Sequence, residues 1–145
     1  MQNAELNLNY QIKCRAEKIS PLLNKIFSKL KEELGAKFDP ETEINLEIAA
    51  REMLANAIEH GCSLAREKDY NLENLKINAS IEISRERIIF TVKDPGPGFN
   101  WQNYNLEEMP EFEEEGRGLK MINKVADNLE FNQEGNLIKA FFKII

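Results

Sequence analysis

The chain has 145 residues, of which 42% are hydrophobic and 30% charged, and this composition is typical of a globular protein with one continuous core. No apolar run approaches the roughly 20 residues of a membrane span, and the first residues lack the basic-then-apolar order of a secretory signal. We therefore expect a cytoplasmic protein that does not associate with membranes. The net charge of −6 and the scattered basic residues argue against direct binding to nucleic acid.

The two cysteines, Cys14 and Cys62, stand far apart in the sequence, and neither belongs to a CxxC pair. A structural zinc site needs more ligands than these two residues and the single histidine, His60, supply. In a cytoplasmic protein we therefore expect two reduced, partly buried thiols.

The first part of the chain is predicted to form one strand and two helices. Apolar and polar residues alternate over residues 6–12, which is typical of a half-buried strand. A helical period follows over residues 19–34. The second helix runs from about residue 40 to residue 60, with Asp39 as a suitable N-cap and Gly61 closing the helix.

Alternating patterns return in the second part of the chain. Residues 77–83 and 88–92 predict two strands joined by a short turn. A third helix is predicted over residues 119–126. Two last strands, 129–132 and 137–145, enclose a turn rich in polar residues and glycine.

The order of these elements predicts an α+β fold. Adjacent strands are joined by short turns, so the sheet should be mixed but mostly antiparallel. Three helices must then cover one face of the sheet in a two-layer sandwich. Residues 1–145 would form a single domain.

The second helix carries a polar row. Glu52, Asn56 and His60 are spaced four residues apart and therefore lie along one side of the helix. Such a row is usually a solvated face. Alanines flank Asn56, however, which indicates a close-packed position where a buried amide needs partners. The spacing alone leaves both interpretations open, and His60 is best explained as a helix C-terminal residue stabilised by the dipole.

A second motif, DPGPGF at residues 94–99, follows the third predicted strand. Gly96 and Gly98 allow close approach of a ligand to the backbone. Asp94, at the end of a strand, can accept a hydrogen bond from an exocyclic amine. The alternative is a rigid Pro/Gly turn with a local aspartate contact, and such turns are common.

A third motif, Gly116-Arg117-Gly118, opens the third helix. Free N–H groups at a helix N-terminus favour a phosphate there, and Arg117 could add a charged donor. The alternative is a flexible hinge before a helix. The motif is neither a Walker A loop nor the GxGxxG of a dinucleotide fold, because GxxxxGK[ST] is absent from the sequence and no βαβ unit surrounds these glycines.

In this order, the three motifs resemble the nucleotide-binding boxes of the GHKL ATPase superfamily, which includes histidine kinases, DNA gyrase B and MutL. The small size, the pairs Asn56-Ala57 and His60-Gly61, and the later segments GLKMI, ADNLEF and GN are similar to those of the bacterial anti-sigma factor serine kinases. The resemblance extends from the first strand to the last. It implies a Bergerat-type ATP-binding fold.

The resemblance also implies a site for ATP and Mg²⁺. Asn56 would coordinate the magnesium ion, Glu52 would act as the general base, and Asp94 would accept a hydrogen bond from the adenine amino group. The other nucleotide contacts would come from Gly96, Gly98, Phe99, Gly116, Arg117, Gly118 and Leu119.

Residues 100–117 would form a mobile lid over the nucleotide. The lid is acidic, and we expect its carboxylates to face solvent or a basic partner: Glu107, Glu108, Glu111, Glu113, Glu114 and Glu115. Three aromatic residues could anchor the closed lid or cover the core, and the sequence does not choose between these roles: Trp101, Tyr104 and Phe112.

The function implied is that of an anti-sigma factor kinase, which transfers the γ-phosphate of ATP to a serine of an antagonist protein and sequesters a sigma factor. The family commonly dimerises, which makes a homodimer one candidate, and the sequence leaves the oligomeric state open. An alternative is an ATP-dependent binding switch without phosphate transfer, although Glu52 favours chemistry because a pure binding module needs no base. A detached sensor histidine kinase domain ranks last, since no dimerising helix with a phosphoacceptor histidine precedes the motifs.

Overall fold

The structure is a computed structural model, and it describes residues 6–66, 74–99, 101–103 and 117–144. Within these ranges the chain forms one five-stranded sheet with the strand order β1-β2-β3-β5-β4. The strands are β1 (Leu6–Lys13), β2 (Lys76–Ser84), β3 (Arg87–Lys93), β4 (Asn128–Phe131) and β5 (Leu137–Lys143).

Every strand pairing in the described ranges is antiparallel. The predicted α+β fold is confirmed, but the sheet is not mixed. The reason is the position of β5, which lies between β3 and β4 and separates these two strands of equal direction.

Three helices pack on the sheet: α1 (Ile19–Leu34), α2 (Pro40–Asn56) and α3 (Arg117–Val125). The N-cap predicted for α2 is confirmed, because Oδ1 of Asp39 accepts a hydrogen bond from the backbone N–H of Thr42 at 2.8 Å. Helix α3 begins at Arg117, two residues before the predicted start at residue 119, so Gly118 is part of the helix. Across the described ranges, no helix combines the length and the apolar character that a bilayer crossing requires.

Helix α2 does not end near residue 60. The chain continues from Asn56 into a π-helical turn (Ala57–Cys62) and one further α-helical turn (Ser63–Arg66). The prediction that Gly61 closes the helix is therefore wrong. Gly61 does not have the positive φ of a C-cap glycine, and its missing side chain serves close packing instead. Single π-helical turns within α-helices occur frequently at functional sites.

The core lies between the helices and one face of the sheet, as expected for a two-layer sandwich. Burial of each large apolar side chain contributes about 1.5–3 kcal/mol. The fully buried ones come from both layers: Leu23, Ile26, Leu30, Leu46, Met53, Leu54, Ile77, Ile81, Ile83, Ile88, Phe90 and Phe142. The opposite face of the sheet carries polar residues and one cation–π contact, in which the Arg87 guanidinium lies 5.0 Å from the ring centroid of Phe141.

Cys14 and Cys62 form a disulfide bond, with a Cα–Cα distance of 6.1 Å. The prediction of two reduced thiols is therefore wrong. The cysteines are 48 residues apart in sequence, but Cys14 directly follows β1 and Cys62 ends the π-helical turn. The fold brings these two ends together, a proximity that sequence spacing does not reveal.

Candidate functional site

The first turn of α3 lies against two side chains of α2. A Cβ atom on Gly118 would lie 3.0 Å from Oε2 of Glu52, and 3.1 Å from both Oδ1 and Nδ2 of Asn56. The structure thus brings together residues from two separate sequence motifs. A side chain at position 118 would therefore lie in tight contact with the ends of both side chains.

Asp94, directly after β3, carries a half-buried carboxylate. Its backbone N–H donates to the carbonyl of Asn136 at 2.9 Å, and its Oδ1 accepts from the N–H of Gly96 at 2.7 Å. Burial raises the pKa of Asp94, and the hydrogen bond from Gly96 partly opposes this shift. A carboxylate that has lost water and retains free lone pairs is suited to accept a hydrogen bond from a ligand.

Asp94 is also in contact with Gly61 of the π-helical turn. A Cβ atom on Gly61 would overlap the Asp94 carboxyl group. A Cβ atom on Gly96 would lie 2.5 Å from the carbonyl oxygen of Gly61. The π-helical turn and the segment after β3 are therefore in main-chain contact, and this contact fixes the carboxylate.

The turn between β4 and β5 packs on the segment 94–99. Gly98 has a φ of +85°, and a Cβ atom there would overlap the carbonyl of Glu134. A Cβ atom on Gly135 would likewise overlap the carbonyl of Phe99. The side-chain amide of Asn136 donates to the carbonyl of Gly96 at 3.1 Å. The segment 94–99 is therefore packed between the π-helical turn and the β4–β5 turn.

Asn132 organises that turn. Its Oδ1 accepts from the backbone N–H groups of Gly135, Asn136 and Leu137 at 2.8, 3.0 and 3.2 Å. Its Nδ2 donates to Oδ1 of Asn136 at 2.6 Å. One amide thereby satisfies three main-chain donors and orients the side chain that reaches Gly96.

Three aromatic rings lie beside the segment 94–99 and the β4–β5 turn. Phe99 meets Phe131 of β4 edge to face with centroids 5.8 Å apart, and Trp101 stacks on the same ring at 5.2 Å. The indole N–H of Trp101 donates to the carbonyl of Asn132 at 2.8 Å. Trp101 thus packs on β4, while the other two aromatic residues considered from the sequence, Tyr104 and Phe112, lie outside the described residues.

These elements enclose a cavity of about 260 Å³, close to the lower end of the range for small-molecule pockets, about 300–1,000 Å³. Its walls are mainly apolar with a few polar groups, the usual character of a ligand site. The lining includes most of the predicted site residues: Asn56, Asp94, Gly98, Phe99, Gly118 and Leu119. His60 also lines the cavity, within the π-helical turn and not at a helix end as expected.

The sequence profile of the histidine kinase-like ATPase domain family matches residues 16–142. The chain belongs to this family. It is therefore an ATP-binding domain of the GHKL type, and its five-stranded antiparallel sheet with three helices agrees with that fold. No curated protein matches the chain significantly.

In this ATPase domain, the amide oxygen of Asn56 is of the ligand type that a magnesium ion prefers. Mg²⁺ prefers oxygen ligands and usually takes one or two from the protein, while phosphates and water supply the rest. The side chains of Asn56 and Glu52 both lie beside Gly118. A site built only from protein ligands is a different case, and no cluster of three or more His, Cys, Asp or Glu side chains suited to it occurs within residues 6–66, 74–99, 101–103 and 117–144.

The remaining predicted residues of the ATPase domain have other positions. Gly96 is buried behind Asp94 and does not line the cavity, and Glu52 stands at its edge beside Gly118. Gly116 lies outside the described residues, as do the acidic side chains of the predicted lid. Arg117 begins α3, but its side-chain position is not described.

Sequence analysis missed three residues of the site. Gly61 was assigned to a helix end, while Asn132 and Asn136 were assigned only to a strand end and a turn. A signal for the two asparagines was present, because Asn side chains commonly hydrogen-bond to nearby backbone in turns. No local signal marks Gly61, because its contact with Asp94 depends on the tertiary structure.

Proposed function

We propose that this ATPase domain is a protein serine kinase of the anti-sigma factor type. It would transfer the γ-phosphate of ATP to a serine of an antagonist protein, and it would also sequester a sigma factor. The observation that carries the proposal is the Glu52 carboxylate beside Asn56 and Gly118. A domain that only binds nucleotide needs no carboxylate at that position.

The polar groups follow the axis of α2 and its extension in an order that suits an elongated nucleotide. Gly61 lies beside Asp94, Asn56 lies five residues earlier, and Glu52 four residues before that. With a rise of about 1.5 Å per residue, this row spans about 13 Å. Asp94 would accept from the exocyclic amine of adenine, and Asn56 and Glu52 would stand at the triphosphate.

The phosphates would meet two kinds of donor. The backbone N–H groups of a helix point outward at its N-terminus and the helix dipole favours negative charge there, so the phosphates would lie at this end of α3. The amide oxygen of Asn56 would hold Mg²⁺. When bound, this ion neutralises charge on the phosphate oxygens.

Glu52 would accept the proton of the attacking serine hydroxyl. The serine oxygen forms a bond to the γ-phosphorus, the bond from that phosphorus to the β–γ bridging oxygen breaks, and ADP leaves with the bond's electron pair. Phosphoryl transfer depends mainly on positioning and electrostatic stabilisation. The close contact of α3 with Glu52 and Asn56 supports such positioning.

The partners of the kinase are proposed from the sequence resemblance. The motifs that resemble anti-sigma factor kinases support an antagonist protein as phosphoacceptor, a sigma factor as the sequestered partner, and a homodimer. Mixing the protein with candidate sigma subunits and ATP, followed by size-exclusion chromatography with light scattering, tests both associations. A protein that remains monomeric and binds no sigma subunit with any nucleotide would contradict this part of the proposal.

Phosphate transfer is tested with labelled ATP, Mg²⁺ and candidate antagonist proteins. Glu52→Gln should remove transfer while ATP still binds, because the amide keeps the shape but cannot accept the proton. Glu47→Gln is the matched control on the same helix, since Glu47 is exposed and forms a long ion pair with Arg51 at 4.0 Å. This control should transfer phosphate like the wild type.

A different result would favour the alternative function. If wild type and both variants bind ATP but transfer phosphate to no candidate, the domain is an ATP-dependent binding switch. Binding itself is measured by thermal unfolding, because ligand at 100 times its Kd adds about 2.7 kcal/mol to the stability. No shift with any adenine nucleotide would contradict both functions.

A further inference from the structure

We propose that the Cys14–Cys62 bond is a site of reversible thiol–disulfide exchange that controls the affinity of the nucleotide pocket. The co-reactants would be small thiols or dithiol proteins. The inference rests on the proposed nucleotide site, and it assigns to that site a form of regulation by redox state.

The bond lies next to the pocket. Cys62 ends the π-helical turn, and the preceding residue is Gly61, which contacts the Asp94 carboxylate without any free space. The same turn contributes Ala57, His60 and Gly61 to the lining of the cavity. A change in the position of Cys62 therefore reaches the Asp94 side of the pocket through a single peptide unit.

The two cysteines differ in their surroundings. Cys62 is only 3% exposed and belongs to the core, whereas Cys14 is partly exposed after β1, a strand at the edge of the sheet. An incoming thiolate can therefore approach the sulfur of Cys14 more easily than that of Cys62. This arrangement gives one accessible sulfur and one that is coupled to the core.

Reduction must move atoms near the pocket. Two thiols cannot stay at bonding distance, so the sulfur atoms separate when the bond breaks. The side chain of Cys62 has little room to turn, because protein interiors are close-packed and transmit strain. The proposal requires that part of the displacement reach the backbone of the π-helical turn and Gly61, in addition to any movement of the partly exposed Cys14.

The thiol–disulfide exchange takes place in two steps. A thiolate attacks Sγ of Cys14, the Sγ–Sγ bond breaks, and the Cys62 thiolate leaves and takes a proton. A second thiol then attacks the mixed disulfide and releases Cys14 as a thiol. In total, one protein disulfide and two thiols give two protein thiols and one external disulfide, with transfer of two electrons.

The direction of control follows from the geometry. With the bond present, Gly61 is tethered against Asp94, and the carboxylate is held in the orientation described above. Without it, the carboxylate becomes less well oriented for the adenine amine. A hydrogen bond to a charged group contributes about 1.5–3 kcal/mol, so a partial loss should weaken ATP binding about tenfold, or about 1.4 kcal/mol.

The test compares the wild-type protein in its oxidised and reduced forms by titration calorimetry with ATP and Mg²⁺. Mass spectrometry after alkylation confirms the state of both cysteines in each sample, across a series of glutathione redox buffers. We expect the oxidised form to bind ATP more tightly. The double variant Cys14→Ser/Cys62→Ser should bind like the reduced wild type and show no response to reductant.

The possible results distinguish a failure of the redox inference from a failure of the nucleotide assignment. Equal affinities of the two forms, or free thiols in every oxidising buffer, would overturn the inference. If neither form binds ATP, the assignment of the pocket to a nucleotide is wrong, and the proposed redox regulation of that pocket is wrong with it. Should the double variant fold poorly, Cys14→Ala alone removes the bond and leaves the buried Cys62 in place, and the comparison of wild-type forms needs no variant.

Discussion

Gly61, in the π-helical turn after α2, lies so close to the carboxylate of Asp94 that a Cβ atom at position 61 would overlap it. The backbone N–H of Gly96 also donates to Oδ1 of Asp94 at 2.7 Å. Main-chain atoms from two separate elements therefore set the orientation of this carboxylate.

Gly61→Ala should weaken ATP binding more than about tenfold, because the new methyl group displaces Asp94. Overpacking at this position should also cost about 1–3 kcal/mol of stability. Titration calorimetry and urea unfolding measure the two effects. Gly35→Ala is the control, since Gly35 has a φ of +55° with open space around it and the variant should lose stability but keep its ATP affinity. Wild-type affinity in Gly61→Ala would show that Asp94 does not bind the nucleotide.

Asp94→Asn should abolish ATP binding and raise the stability of the nucleotide-free protein. The reason is the raised pKa of Asp94, which shows that burial disfavours the ionised carboxylate at neutral pH. Removal of such a cost at a functional site typically gains about 0.5–2 kcal/mol. Asp39→Asn serves as the control, because Asn also caps helices well, and it should bind ATP normally. A nucleotide-free Asp94→Asn protein less stable than the wild type would contradict this prediction.

The stability and the affinity should respond to pH in opposite directions. Between the ordinary pKa of an aspartate, 3.8, and the raised pKa of Asp94 in the folded protein, this carboxyl group binds a proton in the folded state more than in the unfolded state. The contribution of Asp94 to stability therefore falls as pH rises through this window and is fully lost above it. Ligand affinity rises over the same window, because the ionised carboxylate is the stronger acceptor.

Thermal unfolding and calorimetry across this pH range measure the two curves. Adenosine is titrated beside ATP, because it carries no phosphate groups that titrate themselves. Asp94→Asn should remove this contribution from the stability curve. An adenosine affinity that does not change with pH in the wild type would argue against Asp94 as the acceptor.

Gly118→Ala should weaken Mg²⁺-dependent ATP binding and leave adenosine binding unchanged. The added methyl group would fill the space that Glu52 and Asn56 face, at 3.0–3.1 Å from their polar atoms. Stability should not fall greatly, because Ala is favoured over Gly within a helix by about 1 kcal/mol. Met121→Ala, at an exposed position of the same helix, should bind both ligands normally. Equal loss for ATP and adenosine would place the metal elsewhere.

Asn132→Ala should destabilise the protein by about 2–3 kcal/mol, since several hydrogen bonds of about 0.5–1.5 kcal/mol each are lost. It should also weaken ATP binding, because Asn136 loses the partner that orients it toward Gly96. Asn132→Asp keeps the oxygen that accepts from three N–H groups and should recover part of the stability. Gln133→Ala, at an exposed position of the same turn, is the control. Full ATP affinity in Asn132→Ala would mean that the hydrogen bonds of the β4–β5 turn do not shape the pocket.

The sequence predicted the fold because each element has a local signal. The alternation over residues 6–12, the helical period over residues 19–34 and the N-cap Asp39 depend on neighbours in the chain, and the structure agrees with each of them. Asn56 and Asp94, which belong to separate motifs, line the same cavity, and their roles stay predictions.

What the sequence did not predict depends on contacts between distant segments. Gly61 resembled a helix end because glycine commonly follows helices, whereas in the structure the absence of its side chain makes room for Asp94. The disulfide required the end of β1 to meet the π-helical turn. Asn132 orients Asn136, whose side chain donates a hydrogen bond to the backbone of residues 94–99. No periodic pattern in the sequence encodes such an interaction.

The contact between residues 94–99 and the β4–β5 turn has a practical consequence for spectroscopy. On this side Gly98 and Gly135 line the cavity, whereas the nearby Pro97 and Gln133 do not. Pro97 and Gln133 are both exposed, and a fluorescent dye attached through Gln133→Cys would sit beside the ligand without entering its space. Such a dye would follow nucleotide arrival and departure in real time.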